Sequence, residues 1–153
     1  MKAAVRWFYM LATFAVFVDV CLQFYFAAYG AFSKSRVDFS LHSLNASILL
    51  VLMLVALLLS ILAVATAGLR WPRVLLQLLL PILLIGQIGI FILHDAVGGS
   101  VQNPISAVLG LHALNGLLIF GLAFTQGRAA LRLVRAGGRQ VQAKHTAPAQ
   151  VPG

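Results

Sequence analysis

Two pentapeptides nearly repeat along the chain: Leu41-His42-Ser43-Leu44-Asn45 and Leu111-His112-Ala113-Leu114-Asn115. Both lie in long apolar runs, where a histidine is costly to keep and marks a functional site by default. Neutral imidazole is a good ligand for iron, copper and zinc. One imidazole from each of two equivalent helices, meeting at one level, would supply the two axial metal ligands of a b-type haem. Ligation by both His42 and His112 leaves no open position on the iron, which suits electron transfer better than substrate chemistry. Phe24, Phe26, Phe39, Phe91, Leu44 and Leu114 are near enough in sequence to wall a flat apolar slot. The plainer role for each histidine is a hydrogen bond to a neighbour such as Gln23 or Gln87.

Other polar residues in the apolar runs extend the pattern. Gln23 and Gln87 precede the histidines, and Asn45 and Asn115 follow them by three residues, on the same helical face. The order Gln, His, Asn therefore occurs twice. The asparagines have two roles open to them: bonds to a cofactor's propionates, or packing between helices. Asp19 falls near the middle of its run, where a carboxyl serves a proton path or stays a neutral, hydrogen-bonded acid. His94-Asp95 ends another run and is a second candidate for proton transfer.

The elements that must position these residues are membrane spans. Of the 153 residues 61% are hydrophobic and 9% charged, against about 25% charged in a soluble domain. Four segments, at about 7–32, 41–69, 74–93 and 105–125, are each long enough to cross about 30 Å of hydrocarbon as a helix. The expected fold is all-α: a polytopic four-helix membrane bundle, residues 1–126, made of two similar helical hairpins. The apolar run of segment one is longer than a signal-peptide core of about 7–15 residues, so it reads as a retained span. Ser33 to Arg36, Gly68 to Arg73 and Asp95 to Asn103 are the breaks, with Asn103-Pro104 starting the last helix and Pro81 kinking the third.

The net charge of +8 follows the spans. Lys2, Arg6, Arg70, Arg73, Arg128, Arg132, Arg135, Arg139 and Lys144 fall on one side and only Lys34 and Arg36 on the other. This predicts a bacterial-type plasma membrane protein with both termini cytoplasmic. No aromatic-interleaved basic groove is present, which argues against nucleic acid as a partner. Residues 127–138 continue as an amphipathic helix, with Arg128, Arg132, Arg135 and, just past it, Arg139 on one face; Gly137-Gly138 can stop it, and 139–153 reads as a disordered tail. That face suits plain topology or contact with anionic lipid. The lone Cys21 excludes an internal disulfide and reads as a packing residue.

The stretches Gln87-Ile-Gly-Ile-Phe-Ile-Leu-His94 and Val108-Leu-Gly-Leu-His112-Ala-Leu-Asn-Gly-Leu-Leu-Ile-Phe120 resemble a helix pair of the haem A synthase family. That family has two four-helix halves, each with haem-binding histidines on its second and fourth helices. The resemblance spans residues 7–126, one half, and implies haem at His42 and His112. The family's Glu-x-x-His-Arg would need Glu at Phe39 and Arg at Ser43, and its cysteine pair is absent, so the synthase reaction is not implied. The chain also resembles small uncharacterised four-helix bacterial membrane proteins. Three functions follow as expectations: a haem b subunit passing electrons within a larger complex, a small proton-coupled transporter using Asp19 as part of a homo-oligomer, and a non-catalytic accessory or assembly protein. No nucleophile–base set, phosphate loop or carboxylate pair points to an enzyme class.

Overall fold

A computed structural model describes residues 2–32, 39–99 and 106–146, with side chains over 107–139 in the last helix. Among these residues the fold is all-α, a bundle of four helices: α1 (Lys2–Phe32), α2 (Ser40–Ala67), α3 (Trp71–Ala96) and α4 (Ser106–Thr146). All four are long and apolar enough to cross a membrane, and large apolar side chains cover their outer faces. The protein is a multi-pass membrane protein.

Local chemistry sets the helix ends. Gly68 closes α2 at φ +83°, a left-handed conformation that only a residue without Cβ adopts cheaply, and its N–H bonds Ala63 O. Arg70 is extended and Pro72 takes the first turn of α3, where no N–H is needed. Gly98 at φ +84° ends α3, with Gly99 N donating to His94 O at 2.9 Å. The helix runs unbroken through Pro81. The first and third breaks, including Asn103-Pro104, lie mostly outside the described residues.

One expectation is overturned. α4 does not stop at Gly137-Gly138 but continues to Thr146, so residues 139–146 are helical rather than a disordered tail. A glycine inside a helix costs only about 1 kcal/mol. Gly137 serves another purpose, since a Cβ there would overlap the Arg6 guanidinium, which reaches across to Ala67 O at 3.0 Å. Residues 147–153 lie outside the described part.

Each helix packs on two neighbours, α1 on α2 and α4, α3 on α2 and α4, so α2 and α4 are diagonal across the bundle. The halves repeat in register. Gln23 to Gln87 is a shift of 64 residues, and His42 to His112 is one of 70. The first shift carries buried Thr13, Val16 and Val20 of α1 onto buried Gln77, Leu80 and Leu84 of α3. The second carries buried Leu49, Met53, Ala56 and Ser60 of α2 onto buried Ile119, Ala123, Gln126 and Ala130 of α4. The shared burial pattern makes the central core: Val16, Val20, Leu49, Met53, Leu80, Leu84 and Ile119.

Candidate functional site

The hydrogen bonds repeat with the same shifts. In the first hairpin Gln23 Nε2 donates to His42 O at 3.0 Å, and Asn45 Nδ2 donates to Asp19 O at 3.3 Å. In the second, Gln87 Nε2 donates to His112 O at 3.2 Å, and Asn115 Nδ2 donates to Leu83 O at 2.8 Å. In both hairpins, the glutamine grips the carbonyl of the histidine, and the asparagine grips the carbonyl one turn before the glutamine. Two polar side chains, one glutamine and one asparagine, thus fix the register of each helix pair, where apolar packing alone is not directional. Asn45 and Asn115 are spent on these bonds, and neither lines the cavity described next.

Between the diagonal helices lies a cavity of about 490 Å³. It falls within the range of about 300–1,000 Å³ typical of small-ligand sites. Gln23 and Phe24 line it from α1, His42 from α2, Gln87 and Phe91 from α3, and His112 from α4. The lining is mainly apolar. His42 and His112 face each other with ring centroids 6.1 Å apart and planes at 60°. They share one level, although counting residues from the flanking arginines sets them far apart.

The two imidazoles are held differently. His42 Nδ1 lies 3.1 Å from Gln23 O, a carbonyl that can only accept, so Nδ1 carries the proton and Nε2 keeps its lone pair. Gln23 Nε2 stands 3.5 Å from that Nε2, a weak contact beside its 3.0 Å bond to His42 O. Gln23 Oε1 accepts from Asn45 at 2.7 Å. In the second hairpin His112 Nδ1 and Gln87 Oε1 are buried and have no partner. Both residues line the cavity, and the ring of Phe91 packs 4.9 Å from His112. Two orphaned polar atoms beside a mainly apolar chamber are what a ligand with polar substituents would satisfy.

The spacing fits a shared metal. Metal–imidazole bonds of about 2 Å, with each ring centre about 1 Å behind its nitrogen, put two opposed rings about 6 Å apart. Among the described residues no group of three or more His, Cys, Asp or Glu comes together. A zinc centre takes three or four protein ligands. Two histidines across a cavity instead suit a metal that brings its own equatorial ligands, as haem does.

Asp19 is buried at 7% exposure, and its Oδ2 has no partner. It does not line the cavity. The repeat places Leu83 at the equivalent position, so the acid is an addition to one hairpin only. Asp19→Leu keeps the backbone carbonyl that Asn45 uses and removes an uncompensated polar atom. We expect it to stabilise the protein by about 1–3 kcal/mol, read as a higher midpoint of thermal unfolding in detergent. His94, the other proton-path candidate, sits at the end of α3 with Nδ1 3.1 Å from Asp95 Oδ1 and does not line the cavity.

A second buried polar layer was not anticipated. Tyr9, Thr13, Ser60, Gln77 and Gln126 are all buried, nearer the chain termini. Gln126 Nε2 bonds Arg73 O at 2.8 Å and Gln77 Oε1 at 3.1 Å, a further α3–α4 clamp. Gln77 stands in an apolar run as Gln23 does, and that signal could have found it; Gln126, between Thr125 and Gly127-Arg128 just past the fourth segment, carries no such signal. No family model, curated protein or solved structure matches this chain.

Proposed function

We propose that this protein binds haem b between α2 and α4, with His42 and His112 as axial ligands, and passes electrons in a bacterial-type plasma membrane with both termini cytoplasmic. One observation carries the reading: two imidazoles from diagonal helices oppose each other at 6.1 Å across a mainly apolar cavity that all four helices line. The resemblance to one half of the haem A synthase family supports it.

The chain's residues would divide the work. Gln23 O holds the His42 ring by Nδ1, which leaves Nε2 for the metal and raises its basicity. Gln87 would present its orphaned Oε1 to the ligand's polar edge. Phe24, Phe91 and Ile119 keep water from the chamber. When bound, the haem supplies the one-electron couple. With both histidines holding the iron, the bound group would supply electron transfer rather than oxygen or substrate chemistry, which suits a subunit of a larger redox complex.

The test is a titration of the purified protein with haemin in detergent. The expected result is a one-to-one complex with a low-spin Soret spectrum in both oxidation states. Absence of any Soret shift on haemin addition would remove the reading. An unpartnered Asp19 Oδ2 favours, second, a proton-coupled role. In that case Asp19→Asn abolishes flux in proteoliposomes, whereas the haem reading predicts no loss of cofactor.

A further inference from the structure

The two seams that join the hairpins are equivalent in the repeat, yet they are closed differently. Between α1 and α4 the Phe17 ring packs on Phe120 and Phe124, at 5.4 and 5.7 Å between centroids, and Phe24 meets Phe120 edge-on at 6.2 Å. Four aromatic side chains seal that seam. The repeat carries Phe17, Phe24, Phe120 and Phe124 onto Pro81, Ile88, Leu50 and Leu54 of the α2–α3 seam, where no ring stands. There the cavity wall is made by Ser43 and Ser47 on α2 and by Ile85 and Ile88 on α3. All four are exposed. Phe24 and Ala113, which line the cavity from the α1–α4 side, are exposed too, so exposure does not tell the seams apart; the aromatic packing that closes one seam is lacking at the equivalent positions of the other, and this leaves the α2–α3 seam the more open. Exposed Ile48 and Ile92 flank it, so the opening lies in the apolar belt that faces lipid.

We propose that the α2–α3 seam is the portal of the cavity, and that the ligand passing through it is a flat tetrapyrrole dissolved in the bilayer. The class of ligand rests on the haem reading above; the place of the opening does not. An apolar macrocycle partitions into hydrocarbon and meets this seam without crossing water. The small hydroxyls of Ser43 and Ser47 leave room where bulkier side chains would close the gap, and they offer hydrogen bonds to the polar edge of a passing ligand.

The experiment uses the full chain in lipid vesicles that carry either haemin or metal-free protoporphyrin IX. Uptake is followed by the Soret band of the first and the fluorescence polarisation of the second. Ser47→Trp narrows the seam at an exposed position, and Leu117→Trp places the same bulk at the repeat-related, exposed position on α4. We expect Ser47→Trp to slow uptake of both tetrapyrroles by about tenfold or more, as for a narrowed entrance. Leu117→Trp should take up both at the parent rate. Equal rates in all three proteins, or equal slowing by both tryptophans, would overturn the portal. If haemin gives no low-spin spectrum but protoporphyrin uptake is still slowed by Ser47→Trp alone, the iron ligation falls and the portal stands. If neither tetrapyrrole binds the parent protein, both fall.

Discussion

Replacing either His42 or His112 by alanine is expected to strip the haemin-treated protein of its low-spin spectrum while leaving its helix content unchanged. Each variant should give a high-spin, five-coordinate spectrum and lose haem in detergent, and the double variant should show no specific band. The expected loss of affinity is on the order of 100-fold or more for each ligand, since even the partners that merely orient a ligand are worth about 10–100-fold. The fold should tolerate both changes for a reason visible in the clamps. Gln23 and Gln87 hold the backbone carbonyls of His42 and His112, and alanine keeps those carbonyls. Gln23→Leu, by contrast, should weaken haem only modestly, because it removes the side-chain bonds to His42 O and from Asn45 but keeps the Gln23 main-chain carbonyl that holds the His42 ring. Absorption spectra with circular dichroism separate these outcomes.

The largest effect on stability is expected at Tyr9. Its side chain is fully buried, in a cluster with Ala63, Ala67 and Ala130. Three of its cluster neighbours are alanines, too short to fill the space that the ring would leave, beside Val5, Leu69 and Val74. Tyr9→Ala should cost about 3–5 kcal/mol, in line with truncation of a buried aromatic. Tyr9→Phe should do the opposite. The hydroxyl is buried without a partner, so its removal should be neutral or stabilising by about 1 kcal/mol. Thermal unfolding of the two variants in one detergent checks both signs. A large loss in Tyr9→Phe would mean that the hydroxyl has a bonding partner such as an internal water.

The spans were legible because a bilayer permits few alternatives: a long apolar run must satisfy its own backbone, and a helix does so. The histidine pair was legible because the pentapeptide around it is duplicated. Its geometry was not, and the reason is particular. A depth counted from Arg128 takes that residue as the membrane edge. In the structure α4 runs on past it, and Arg128 lies exposed over the Phe124 ring at 5.6 Å. The repeat aligns the end of α2 at Ala67 with Gly137, so Arg128 stands well inside the bundle's length and the two histidines share a level. α2, at 28 residues, extends to about 42 Å, more than the hydrocarbon thickness of about 30 Å. The sealed and open seams were hidden for another reason. They follow from which residues face each other across hairpins, and a run of Leu, Ile and Phe does not show that.

The clamps have a mechanical consequence. Every side-chain bond described above between helices lies within one hairpin: α1 to α2, or α3 to α4. Between the hairpins the contacts described are apolar packing, less directional than a hydrogen bond, and a three-residue tether at Gly68 to Arg70. A metal gripped by His42 on one side and His112 on the other would be a rivet through two plates otherwise held by packing alone. Losing the rivet would loosen the assembly as a whole rather than unravel either plate.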